Sequence, residues 1–263
     1  MSRRPLSRRG AFVPLVAFLL LASAVAGLAC SSAKPRPRPV PTGYSSVNGT
    51  PALVLRPDKP TNRLVLYVHG SGSQADVLEE EQLAPTVRAL LGHGFAVAAS
   101  NGGGENNWGS PRSVEDSVRL AERTGYKYVY ILAQSMGGIG GVELIDRLHP
   151  VAWAGIFPVC NARNLWNINN GREQIEAVWG PGPPPAKISP VKAKDVKDLP
   201  VIMFASPEDT SVPIGENAEA CARWMRRRGA RVTLVETTGE HGDPSNFQPH
   251  RLASFFARAP LGR

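Results

Sequence analysis

From residue 52 onward, short apolar or β-branched runs alternate with stretches whose apolar positions recur every three or four residues. The first pattern is that of strands, the second that of amphipathic helices. The strands predicted are Ala52–Arg56, Arg63–Val68, Phe95–Ser100, Tyr128–Leu132, Ala152–Val159, Val201–Ala205 and Arg231–Glu236. Helices are predicted over 76–92, 111–124, 136–148, 214–228 and 245–258. Such alternation argues for βαβ units and a mostly parallel, doubly wound sheet. Tyr128–Leu132 is almost continuously apolar, as befits a central strand covered on both faces. Arg226, Arg227 and Arg228 followed by Gly229 mark a helix C-terminus, where cations suit the helix dipole and glycine suits the cap.

One segment breaks the rhythm. Residues 161–200 carry Trp166, Trp179, a short helical pattern around Arg172–Val178 and the Pro-rich Gly180–Pro185. An insertion between two strands at this point either folds over a cleft at the sheet's C-terminal edge or packs down as a surface loop.

The chain has 263 residues, room for one α/β domain with a buried core, and a formal charge of +8. That charge invites a nucleic-acid reading until it is located. Arg3, Arg4, Arg8, Arg9, Lys34, Arg36 and Arg38 precede residue 39 with no acid among them, and without those seven the chain is near +1. No basic face is left to meet a phosphate backbone. The basic stretch instead leads into an apolar run from Ala11 to Ala29 and then Cys30, the layout of a secretory signal. Residues 1–29 are therefore expected to be a signal peptide and the protein to be exported. Cys30 after Gly27-Leu28-Ala29 resembles a lipoprotein acylation site, with Gly27 where Leu is usual, and would anchor the protein to a membrane. Ala24-Val25-Ala26 offers a rival cleavage site that would free it. Residues 30–41 hold Pro35, Pro37, Pro39 and Pro41 and read as an extended linker, leaving 42–263 as the domain. Cys160 and Cys221 could pair in an oxidising compartment or sit as two buried thiols. The spacing of the three cysteines suits no metal site.

The candidate chemistry lies where predicted strands end. Ala133-Gln134-Ser135-Met136-Gly137-Gly138 joins the central strand to the helix carrying Ile139, Val142, Leu144, Ile145 and Leu148. A serine on so sharp a turn needs small residues two before and two after it, because strand and helix must approach closely. Ala133 and Gly137 meet that demand, Ala133 with one methyl more than the glycine usual there. A serine hydroxyl attacks only when a base takes its proton, so a histidine is required. Of the five, His241 follows the last strand in Gly239-Glu240-His241-Gly242, which a doubly wound sheet brings to the same edge as Ser135. An acid to orient that histidine is expected from Ser206-Pro207-Glu208-Asp209-Thr210, with Asp209 preferred and Glu208 a solvated loop charge. Two backbone amides should meet the developing oxyanion, that of Met136 and that of Ser71 in His69-Gly70-Ser71-Gly72. The glycine spacing of that loop fits neither a P-loop nor a dinucleotide fingerprint. Asn101-Gly102-Gly103-Gly104-Glu105-Asn106-Asn107-Trp108 leaves the sheet at this edge too, and Asn101, Asn106 and Trp108 are candidates to line a cleft.

Together these segments resemble the α/β-hydrolase superfamily, in its order, over residues 52–260. The resemblance implies an α/β-hydrolase fold and acyl transfer through Ser135, Asp209 and His241, with Ser71 and Met136 as the oxyanion hole. It implies no cofactor and no metal. A small-molecule or polymeric carboxylic ester is the expected substrate, in the manner of compact esterases. Peptidases of prolyl-oligopeptidase type and acyltransferases share the same machinery. A non-catalytic binding protein would normally lack a member of the triad.

Overall fold

The structure, a computed structural model, describes residues 43–47 and 49–261. The expected signal peptide, Cys30 and the Pro-rich linker lie outside the described residues. The strands are β1 (Tyr44–Val47), β2 (Thr50–Leu55), β3 (Arg63–Val68), β4 (Ala96–Ser100), β5 (Tyr128–Gln134), β6 (Trp153–Ile156), β7 (Pro200–Ala205) and β8 (Arg231–Glu236). The helices are α1 (Ala84–Gly92), α2 (Pro111–Thr124), α3 (Gly137–Leu148), α4 (Ala162–Leu165), α5 (Gly171–Trp179), α6 (Ala220–Arg227) and α7 (Pro249–Arg258). The strands form one sheet in the order β1–β2–β4–β3–β5–β6–β7–β8. β1 and β2 are antiparallel, as are β2 and β4; all other neighbours run parallel.

The apolar run of β5 is explained by two cores rather than one. Ile131 and Ala133 pack with residues of α2, α3 and α6 on one face of the sheet. Tyr130 and Leu132 pack with residues of α1 and α7 on the other. Side chains alternate along a strand, so a strand covered twice must be apolar at every position.

Where the elements differ from the sequence reading, the backbone gives the reason. The helix expected over 76–92 is a 3₁₀ turn at Ala75–Glu79 followed by α1. Pro85 sits in the first turn of α1, where its missing N–H costs nothing; further inside a helix it would break a hydrogen bond. Pro249 opens α7 in the same way, so Pro244–Asn246 is a separate 3₁₀ turn. The helix expected from 214 begins as a π turn at Gly215–Glu219. The strand expected to reach Val159 stops at Ile156, because Phe157 turns to φ 36° and Val159 N donates to Ser135 O at 2.8 Å. β1 was not expected at all, although Asn48-Gly49 between Val47 and Thr50 is a two-residue hairpin signal.

The extra methyl of Ala133 is accommodated from the helix side. A Cβ placed on Gly141 of α3 would lie 2.7 Å from Ala133 Cβ and 3.2 Å from Trp153 Nε1. Ala133 thus fills the space that Gly141 leaves empty, and Trp153 Nε1 donates to Gly141 O at 2.9 Å across the same contact. Gly141→Ala is expected to destabilise the protein by about 1–3 kcal/mol through overpacking. In that background Ala133→Gly should restore stability, although alone it empties a buried methyl and costs stability. Urea unfolding of the four proteins measures the coupling, and strictly additive effects would mean that the two positions do not share this space.

Candidate active site

Parallel strands deliver their following loops to one edge of the sheet, and the segments singled out above meet there. Ser135 follows β5 directly and holds φ 50°, a left-handed conformation that costs a non-glycine residue roughly 1–3 kcal/mol. Hydrogen bonds hold the bend in place. Ser135 N donates to Ile156 O at 3.0 Å, and its carbonyl accepts from Gly138 N and Val159 N, each at 2.8 Å. Gly137 follows at a point where a Cβ would stand 2.2 Å from Val68 O and 2.6 Å from His69 O, so only glycine fits.

Ser135 Oγ lies 3.0 Å from His241 Nε2, and His241 Nδ1 lies 2.7 Å from Asp209 Oδ2. A carboxylate at Nδ1 makes that nitrogen the protonated one and leaves Nε2 with a lone pair facing the hydroxyl. Asp209 is buried, and its other oxygen accepts from Ser211 N and Val212 N at 2.9 and 2.8 Å. The carboxylate is thus satisfied on both sides without water. Phe157 packs against the His241 ring with centroids 4.3 Å apart. Glu208 faces elsewhere: its Oε2 accepts from Gly239 N at 2.8 Å.

The other histidines are placed for different work. His69 is buried, its Nδ1 2.9 Å from Gly70 O and its Nε2 3.3 Å from Asn107 Nδ2. Burial pushes its imidazole below the ordinary histidine range, which keeps it neutral with Nδ1 donating and Nε2 accepting. It therefore shapes the loop that carries Ser71. His149 pairs with Asp195, and His93 with the carbonyl of Ala89.

Ser71 and Met136 both border the space in front of Ser135. The cavity holds about 200 Å³. Trp108, Met136, Val159, Leu165, Ile168 and Val212 make its apolar wall. Ser71, Asn169, Asn170, Gln174 and Ser211 supply polar groups, and among the described residues His241 is the one ionisable side chain lining it. Of the three loop residues expected to line a cleft, Trp108 does so. Asn101 instead accepts from Ala75 N at 2.7 Å and donates to Gln74, and Asn106 accepts from Gly72 N at 3.1 Å and from the Ser71 hydroxyl. Cys160 and Cys221 are both free and buried, and the Cys160 thiol is pushed upward by its hydrogen bond to Cys221 and by burial.

No protein-family model and no curated protein matches the chain. Solved structures are similar to it over most of its length. An esterase of the bacterial hormone-sensitive lipase family covers 87% of this chain and 87% of its own, with 20% identity and a TM-score of 0.63. An esterase/lipase from an uncultured bacterium covers 84% and 85%, with 16% identity and a TM-score of 0.66. An acylaminoacyl peptidase of Pyrococcus horikoshii is matched over 86% of this chain but 42% of that one, with 13% identity and a TM-score of 0.65. The chain has the α/β-hydrolase fold.

On this α/β-hydrolase fold the insertion 161–200 is tied down at both ends and across the site. Ala162 N donates to Ile188 O and Val191 N to Cys160 O, each at 2.9 Å, closing its neck. Over the cavity, Gln174 Oε1 accepts from Trp108 Nε1 at 3.2 Å and lies 3.0 Å from Ser71 Oγ, while Trp179 Nε1 donates to Trp108 O at 3.0 Å. Gln174 was not anticipated; its only sequence signal is one polar position on a short helix. Gln174→Ala should release α5 from the Ser71 and Trp108 loops. Amide exchange across 166–179 is expected to rise several-fold, with the strands unchanged and the melting temperature lowered by a few degrees. Unchanged exchange would mean that packing alone holds the insertion.

Proposed function

We propose that the chain is a serine hydrolase that cleaves carboxylic esters through an acyl-enzyme intermediate. The observation that carries this reading is the continuous relay from Asp209 through His241 to Ser135 at a strained strand–helix turn. Ser135 Oγ attacks the carbonyl carbon while His241 Nε2 takes its proton. Asp209 holds the imidazole in the required tautomer and stabilises the imidazolium that forms. The amides of Ser71 and Met136 serve the oxyanion. His241 then returns the proton to the departing alkoxide, and a water, deprotonated by the same nitrogen, releases the acid and restores Ser135. The named esterases among the similar folds favour an ester substrate over an amide. The leader's basic, apolar and small-residue layout supports an exported enzyme, with Cys30 as its point of acylation.

A fluorophosphonate probe is expected to label the purified protein at Ser135 alone, as peptide mapping will read. Ser135→Ala should lose the label and keep its melting temperature within a few degrees. Turnover of an activated ester should fall about 10⁴-fold in Asp209→Asn and by no more than about two-fold in Glu208→Gln. The reverse order would assign the acid to Glu208.

Acyl length provides a separate test. A cavity of roughly 150 Å³ holds a benzene ring, so the 200 Å³ here suits a short acyl group. p-Nitrophenyl esters of about C2–C6 should be hydrolysed well, with kcat/KM declining toward about C12. A preference for long chains would point to a lipase in which the insertion opens. Robust cleavage of peptide amides with little esterase activity would favour a peptidase, as in the Pyrococcus horikoshii neighbour.

A further inference from the structure

Asp209 and His241 are one residue apart from two other carboxylates, Glu208 and Glu240, and these cross between the loops in opposite directions. Glu208 Oε2, beside Asp209, accepts from Gly239 N in the His241 loop at 2.8 Å. Glu240 Oε2, beside His241, accepts from Thr210 N at 3.3 Å and from Thr210 Oγ1 at 3.1 Å in the Asp209 loop. Each carboxylate therefore grips the chain within two residues of the other loop's reacting side chain.

Apart from Gln82 Nε2, which donates to Gly242 O at 2.6 Å from outside, the remaining bonds of the His241 loop hold its own shape. Asn246 Nδ2 donates to Glu240 O at 3.3 Å, and Ser245 N donates to Asp243 Oδ1 at 2.8 Å. The last rung between the strands is Thr237 N to Ala205 O at 3.0 Å. Beyond that rung, the hydrogen bonds between the Asp209 and His241 loops among the described residues are the Asp209–His241 bond and the two glutamate crossings. Without the crossings, the hydrogen bonding between the two loops would come down to the Asp209–His241 bond, the one that orients the imidazole toward Ser135.

We propose that Glu208 and Glu240 are positioning residues, a reciprocal brace that sets the distance and angle of His241 to Asp209 and so to Ser135. This rests on the reading of Ser135, Asp209 and His241 as the reacting groups. A carboxylate accepting from a backbone N–H makes a charge-assisted bond, stronger than a neutral one and directed at a fixed point of the chain. Turnover is sensitive to misplacement of this kind, about 10²-fold for 1 Å.

The test uses the full chain and p-nitrophenyl acetate, with fluorophosphonate labelling as a second readout. Glutamine keeps the acceptor oxygen and loses the charge; alanine loses both. Glu208→Ala and Glu240→Ala are each expected to lower kcat about 3- to 10-fold at unchanged KM and to slow labelling equally. Glu208→Gln and Glu240→Gln should stay within about two-fold of wild type, because the acceptor remains. The double alanine variant should lose more than the product of the singles, since each crossing alone still spans the gap. Thr210→Val, which removes only the hydroxyl half of one crossing, should fall between wild type and Glu240→Ala. Wild-type kcat in both alanine variants overturns the brace. Equal losses in alanine and glutamine variants also overturn it, because charge and not the bond would then be acting. A wild-type chain that neither labels nor turns over overturns the catalytic reading itself, and the brace with it.

Discussion

The site depends on how closely α3 can approach β3 at the end of β5. With no Cβ at Gly137, the first turn of α3 lies almost against the carbonyls of Val68 and His69. That approach forces the chain through a bend too sharp for ordinary backbone geometry, and Ser135 takes the left-handed conformation that results. The bend places the Ser135 hydroxyl at the C-terminal edge of the sheet, 3.0 Å from His241 Nε2. Strain of this size persists only where surrounding bonds over-determine it, here those from Ile156, Gly138 and Val159. The β6 strand is shortened for this purpose: its continuation leaves the sheet to hold the elbow.

The same contact explains the departure from the usual glycine two residues before the serine. Strand and helix need a certain separation, not a particular residue on one side. Here the strand carries the methyl and the helix gives it up at Gly141. The apolar core on this face is therefore continuous from β5 into α3, and Ser135 sits buried at its edge.

Polar groups at the site follow a consistent division. Buried ones are fully satisfied: both oxygens of Asp209 are bonded, and both nitrogens of His69 have partners. The half-buried ones face the cavity. Gln174 and Trp179 tie the insertion to the loop carrying Trp108, so the roof of the cavity and that loop share one hydrogen-bonded unit. The cavity wall is apolar, and among the described residues His241 is the one ionisable side chain that lines it.

Much of this was legible in the chain because it depends on local spacing. Alternating runs report strands and helices through side-chain geometry, and the small residues around Ser135 report a close approach that nothing larger allows. The order of Ser135, Asp209 and His241 along parallel strands places their loops at one edge before any coordinate is known. Local pattern also had limits: Pro85 and Pro249 start helices later than periodicity suggests, and the short polar strand β1 carries too little apolar signal to stand out. Only the tertiary structure decided the rest. Glu208 and Asp209 are adjacent and chemically alike, and which of them meets His241 is set by the rotation of the loop after β7. Asn101 and Asn106 lie in a loop at the right edge, yet their side chains are consumed by backbone N–H groups and by Gln74 and Ser71. Gln174 meets Ser71 across 103 residues of chain. Periodicity along a chain reports which face a residue occupies; it cannot report which distant group that face will meet, because that is fixed only when the sheet has closed and the loops have packed.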